Sequence, residues 1–277
     1  LVHTYALSPA LRAMSHVWAA PVDGVQTVAA KGAPEAVMDL CHLDETQRSR
    51  IASAVEGLAT EGRRVLAVAR GSFSGQDWPA EEHGFDFEFV GLLGLADPVR
   101  SEVPTAVAEC RAAGIRVVMI TGDYPATARA IAQHAGLAVS DGDVLTGDEI
   151  AALDDEELRQ RVASVSVCAR IAPEQKLRIV QALKARGDIV AMTGDGVNDA
   201  PALRAAHVGV AMGKRGTDVG REAASLVLID DNFAAIVAAV RLGRRIFDNL
   251  RKAMSYILAV HVPIAGMAVL PVLFGWP

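Results

Sequence analysis

The chain has 277 residues, a length that accommodates two domains. It is 51% hydrophobic and 22% charged, as expected of a globular protein with some membrane content, and its net charge of −6 gives no reason to expect a nucleic-acid partner. Cys41, Cys110 and Cys168 are scattered without disulfide or metal spacing, which fits a reducing cytoplasm. No signal peptide opens the chain, and the apolar run at its end stops at Pro277, so the sequence reads as a segment of a longer protein.

Residues 25–30 read as a strand that runs into Lys31-Gly32-Ala33-Pro34-Glu35. Pro34 opens a short helix over 34–41, Asp44-Glu45 start a longer one to Ala59, and residues 63–69 form another strand with basic residues at its mouth. Taken singly, Lys31 and Arg64 are surface cations. From Phe85 strands alternate with helices, the pattern of a parallel sheet with helices on its faces. A strand over 89–95 ends in Asp97-Pro98-Val99-Arg100, and a helix from Ser101-Glu102 to Ala113 is stopped by Gly114. The continuous apolar strand 115–120 ends in Thr121-Gly122-Asp123, followed by a helix over 125–135. A polar insertion over 140–161 carries a small amphipathic helix; a strand at 165–168 and a helix at 173–185 bearing Lys176 follow.

The apolar run 188–191 then leads as a short strand into Met192-Thr193-Gly194-Asp195-Gly196-Val197-Asn198-Asp199-Ala200-Pro201-Ala202-Leu203. Two carboxylates, Asp195 and Asp199, sit four residues apart at a Gly-rich strand-to-helix turn, with a helix near 199–206. At the C-terminal edge of a strand they suit a hard cation such as Mg²⁺. Either one alone reads equally well as an acidic cap. Strands at 207–211 and 225–229 complete the pattern. Thr121 with the N–H groups of a helix start makes a phosphate cradle, and Lys176 adds positive charge against a phosphoryl group. Their bland readings are a cap for Thr121, a turn for Asp123 and a solvated face for Lys176.

Asp230-Asp231-Asn232 cap a helix from Phe233 that passes Arg241, Arg244, Arg245, Arg251 and Lys252. Residues 253–277 then contain no Asp, Glu, Lys or Arg and are long enough to cross a bilayer, with a buried soluble helix as the alternative. The basic cluster places the N-terminal end of this span in the cytoplasm, and Trp276 suits an interfacial anchor. Inside the span, Pro263 removes a helical hydrogen bond and frees a carbonyl, and His261 is a titratable side chain, so both are candidates for an ion path.

The run Thr193 to Leu203 resembles the hinge motif of P-type ATPases, cation pumps whose phosphorylation domain is similar to the haloacid dehalogenase fold. Lys31-Gly-Ala-Pro-Glu is similar to their nucleotide-domain motif, and Asp97-Pro-Val-Arg100 to a loop between their nucleotide and phosphorylation domains. The resemblance implies an α/β chain with a Rossmann-like parallel sheet, part of an α+β nucleotide domain and a transmembrane helix. It divides the chain into a nucleotide-domain part (1–90), a phosphorylation domain (91–232), a stalk helix (233–252) and a truncated membrane helix (253–277). It implies ATP and Mg²⁺ as cofactors and a transported cation and the lipid bilayer as partners. Residues 1–252 would be cytoplasmic, in a bacterial plasma membrane protein.

By the same resemblance Lys31, Arg64, Asp97, Arg100, Gly122 and Asp123 serve the nucleotide. Thr121, Lys176, Asn198 and Asp199 serve phosphoryl transfer, with Asp199 in a supporting role, and Asp195 binds Mg²⁺. Where the family carries an adenine-stacking aromatic this sequence departs from it with Leu7, Tyr5 standing two residues earlier, and Arg12 matches a basic position. His261 and Ile264 fall at positions where calcium-type relatives carry asparagine and glutamate. The phosphorylated aspartate of an Asp-Lys-Thr-Gly-Thr motif is absent from the sequence and is expected upstream. Two other readings use the same residues: a soluble haloacid dehalogenase-like phosphatase, or a non-catalytic module that binds nucleotide and Mg²⁺.

Overall fold

A computed structural model describes residues 1–8, 11–19, 24–75 and 77–275. The first unit is built on period-two strands. In β2 (Ala13–Trp18), which follows β1 (His3–Tyr5), residues Ala13, Ser15 and Val17 are buried and alternate with more exposed neighbours. β3 (Gln26–Gly32) leads into α1 (Pro34–Leu40), whose proline sits in the first turn. Asp44 caps α2 (Glu45–Thr60): its carboxylate accepts from the Gln47 N–H at 2.8 Å, and the Gln47 side chain accepts from the Asp44 N–H.

β4 (Arg64–Phe73) and β5 (Phe87–Leu95) complete a five-stranded antiparallel sheet of order β1-β2-β3-β4-β5. Val17, Val28, Val37, Leu40, Phe85 and Phe87 form its core. The strand expected over 89–95 to open the parallel sheet belongs here instead. It pairs with β4 from Leu95 opposite Arg64 to Phe87 opposite Gly71. The long edge of β4 offers a row of N–H and C=O groups that this pairing satisfies. A boundary at residue 90 therefore falls inside a strand.

The second unit is parallel. α3 (Val103–Ala112) ends near Gly114, whose φ of +73° terminates the helix. Then come β6 (Met119–Ile120), α4 (Pro125–His134), β7 (Val144–Thr146), α5 (Gly147–Ala152), α6 (Asp155–Arg161), β8 (Val167–Ala169) and α7 (Pro173–Ala185). β9 (Ala191–Gly194), α8 (Ala200–Ala205), β10 (Val208–Met212), α9 (Asp218–Ala223) and β11 (Leu226–Leu228) follow. The strands form two three-stranded sheets, β6-β8-β7 and β11-β10-β9. Both contribute to one core, in which Leu145 and Cys168 join Val190 and Met192, with Ile120 packed against them.

Three local expectations shift. The strand expected over 115–120 is reduced to Met119–Ile120, and β7 arises within the polar insertion as a partner for β8. The strand expected at 188–191 begins only at Ala191, because Ile189 is 81% exposed while Val190 turns inward.

α10 (Ala234–Phe274) is a single helix of 41 residues, started by Asn232, whose Oδ1 accepts from the Ala234 N–H at 2.9 Å. Its first turns pack on α3, where Val237 joins Ala106 and Cys110 and Arg241 pairs with Glu109. It continues through Pro263, and it is long and apolar enough to cross a membrane by length and composition. The anchor expected at Trp276 lies outside the described residues.

Candidate active site

Lys176 projects from α7 and donates to Asp199 Oδ1 at 2.6 Å. Asp199 is buried, and its other oxygen accepts from the backbone N–H groups of Asp195 and Gly196, each at 3.3 Å. The turn is closed so tightly that a Cβ on Gly194 would lie 2.6 Å from the Asp199 Cβ, which is why glycine stands there. Asp199 is thus fully engaged in bracing the loop. Asp195 is exposed, its backbone carbonyl accepts from the Thr217 N–H at 2.9 Å, and its carboxylate has no hydrogen-bond or ion-pair partner among the described residues. Asn198 is exposed on the short 3-10 turn between them.

Thr121 follows β6 at the same edge. Its hydroxyl donates to Asp123 Oδ2 at 2.9 Å and accepts from the Asp123 N–H at 3.1 Å. Asp123 faces the antiparallel unit, with Arg64 Nε 3.8 Å from its Oδ1. Two further contacts hold the units together here. The buried Thr127 hydroxyl donates to the Arg63 carbonyl at 2.9 Å, and Ala126 of α4 packs on the cluster of Val55, Ala59 and Val65.

Between the units lies a cleft of about 650 Å³. One wall carries Arg12, Lys31 and Arg64; the other carries Gly122, Asp123, Tyr124, Arg170 and Asn198. A volume in this range holds a small organic ligand, and the excess of cations over carboxylates favours an anionic one. Leu7 and Met14 add apolar lining. Tyr5 turns the other way: its hydroxyl donates to the Pro79 carbonyl at 2.6 Å and its ring packs edge-on against Phe85. Burial, with the charges of Glu56 and Glu35, pushes the Tyr124 phenol up and keeps it a neutral hydroxyl at pH 7.

The structure therefore brings Lys31, Arg64, Gly122, Asp123 and Asn198 into one cleft and places Thr121, Asp195 and Asp199 on the turns beside it, with Lys176 reaching Asp199 from α7. Asp97 and Arg100 stand elsewhere. Arg100 Nη1 donates to the Asp231 carbonyl at 2.6 Å, where Asp231 at φ +56° also accepts from the Lys214 and Arg215 N–H groups. That pair ties the loop after β5 to the head of α10. His261 and Pro263 lie far along α10, and His261 Nδ1 is 2.9 Å from the Ile257 carbonyl oxygen. Burial pushes the Cys168 thiol up to about 12 and Cys41 up to about 11, so neither is a thiolate nucleophile. Arg170 and Tyr124 escaped the sequence reading; the signal for Arg170 is its left-handed backbone, which no sequence pattern announces.

The haloacid dehalogenase-like hydrolase profile matches residues 3–207. The chain belongs to the haloacid dehalogenase-like hydrolase family. This family member is 47% identical over 249 residues to a probable cation-transporting ATPase F of Mycobacterium tuberculosis, covering 85% of this chain and 28% of that protein. It is 43% identical over 251 residues to a calcium-transporting ATPase of Bacillus subtilis, 87% of this chain and 28% of the relative. To a sodium/potassium exporting P-type ATPase of Schizosaccharomyces pombe it is 44% identical over 258 residues, 86% and 25% respectively. The dehalogenase-like chain thus spans about a quarter of the length of these relatives.

Proposed function

We propose that this chain is the segment of a P-type cation pump that binds ATP, holds the phosphoryl group during transfer and passes the resulting motion to a membrane helix. The observation that carries this reading is the cleft. Lys31 and Arg64 on one unit face Gly122, Asp123 and Asn198 on the other, beside the turn where Lys176 pairs with Asp199 and the Asp195 N–H donates to the same carboxylate. Cation-transporting relatives that name ATP hydrolysis support it.

In the proposed reaction an aspartate carboxylate from upstream of this segment attacks the γ-phosphorus of ATP. The bond to the bridging oxygen breaks, ADP leaves, and an acyl phosphate forms that water later hydrolyses. Lys31 and Arg64 hold the nucleotide. Lys176 spends one of its three N–H bonds on Asp199 and keeps the others for phosphoryl oxygens. Turning the Thr121 hydroxyl from Asp123 onto a phosphoryl oxygen leaves Asp123 its contact with Arg64. The donor set fits Mg²⁺, which commonly takes one or two carboxylates and completes its shell with phosphate and water: Asp195 is the exposed carboxylate here, whereas Asp199 is taken by Lys176. Such an ion would supply positive charge to the transferring group.

α10 would carry the coupling. From Ala253 to Phe274 it extends roughly 33 Å, against roughly 30 Å for a bilayer core. At Pro263 the Ala259 carbonyl loses its helical donor, and His261 stands in the turn between them, so polar groups gather at one depth for an ion path. The basic residues before Ala253 support a cytoplasmic side for residues 1–252 in this reading.

The test is phosphorylation of the intact protein, in membranes, from labelled ATP across a panel of cations. A hydroxylamine-sensitive phosphoenzyme that answers to one cation is the expected result, and Asp195→Ala should abolish it. Normal phosphoenzyme in that variant would remove Asp195 from metal binding; none in the parent under any cation would overturn the pump reading.

A further inference from the structure

Four cations line the cleft, and two of them share one carboxylate. Glu35, in the first turn of α1, accepts from Arg170 Nη2 at 2.6 Å across the boundary between the units, and Arg12 Nη1 lies 3.8 Å from the same oxygen. Arg170 is the better fixed partner. Its backbone follows β8 at φ +56°, a region that non-glycine residues seldom occupy. Its N–H donates to the Asp123 carbonyl at 3.0 Å, its carbonyl presses on Gly147 where a Cβ would collide, and its guanidinium carbon stands 5.6 Å from the Tyr124 ring centroid. The guanidinium is therefore held over the cleft whether or not Glu35 is present.

The closure of the units does not depend on Glu35 either. The Thr127–Arg63 hydrogen bond, the packing of Ala126 on the Val55 cluster and the Arg64–Asp123 contact join them independently. What remains for Glu35 is electrostatic. Its charge occupies two guanidinium groups that a polyphosphate entering the cleft would otherwise take.

We propose that Glu35 is a built-in competitor for nucleotide phosphate: by pairing with Arg170 and Arg12 it lowers the affinity of the cleft for ATP, and binding proceeds by exchanging its carboxylate for phosphate oxygens. This rests on the nucleotide reading of the cleft and adds a residue that sets its affinity. A competitor of this kind keeps product release from slowing, because the same carboxylate recaptures the arginines as the nucleotide departs.

The experiment is calorimetric titration of the full chain, solubilised in neutral detergent, with ATP, ADP and adenosine. Glu35→Gln should tighten ATP about three- to tenfold, the scale of a partly exposed ion pair, and ADP less. Adenosine, which carries no phosphate, should bind parent and variant alike. In an Arg170→Gln background the Glu35→Gln gain should shrink, since the main partner is gone. ATP affinity unchanged or weakened in Glu35→Gln overturns the proposal while leaving the nucleotide reading intact. An equal gain for adenosine also overturns it, since that would mark a change of shape instead of charge. If neither parent nor variant binds ATP, both readings fail; binding by the variant alone would be the strongest support.

Discussion

The two aspartates of the hinge turn look alike in sequence and are opposite in situation. Asp199 is buried, bonded to Lys176 and to two backbone N–H groups; Asp195 is exposed. Replacing Asp199 by alanine leaves a mostly buried ammonium and two N–H groups without their acceptor, so Asp199→Ala should cost about 2–4 kcal/mol of stability. Asp195→Ala should stay within about 0.5 kcal/mol, because no described group depends on its side chain. Denaturant midpoints of the two variants check this, and equal losses would refute the division of labour. The spacing of the aspartates was readable in the sequence, and so was Lys176. The Glu35–Arg170 pair was not, because the partners stand 135 residues apart and nothing local in either segment marks them as neighbours.

At the scale of elements, strand allegiance was the hardest thing to read. Residues 89–95 are apolar and precede a helix, which is also how a parallel strand looks; only the free edge of β4 decides the matter. Helices with proline starts were plain, and α7 matches its expected span, Pro173–Ala185. The 3-10 turn Glu82–Gly84 between β4 and β5 carries a feature that hydropathy does not reveal. Glu82 is buried beside β2, and its Oε1 and the Ser15 hydroxyl both lack hydrogen-bond partners among the described residues. Burial pushes the Glu82 carboxyl up, with the charge of His83 offsetting part of the effect. A carboxyl raised in the fold contributes stability below its unfolded value of about 4.3 and loses it as pH climbs through the folded value. Glu82→Gln should therefore equal the parent near pH 4 and exceed it at pH 8, read from denaturant midpoints against pH. Parallel curves would show that the carboxyl pays no penalty for its charge.

Over the whole molecule, the two halves of the parallel sheet raise a question of completeness. Among the described residues β6 and β9 each pair on one side only, with β8 and β10 respectively, yet both sheets share one core and end at the same polar edge. Under the proposed function the missing nucleophile must reach Lys176, Thr121 and Asp195 together, and a strand paired to both β6 and β9 would deliver its C-terminal residue there. The fold class was legible from the alternation of strands and helices; this division of the sheet was not, since nothing in the apolar runs at 115–120 and 188–191 marks them as members of different sheets. Amide hydrogen exchange tests the arrangement. In this chain alone, alternate amides along the outer edges of β6 and β9 should exchange quickly, as groups open to water do. In the longer protein the same amides should slow by about a hundredfold or more, while those of β10, already paired on both sides, change little. Fast exchange at both edges in the intact protein would mean that no strand bridges the halves, and the carboxylate that accepts the phosphoryl group would have to come from a loop.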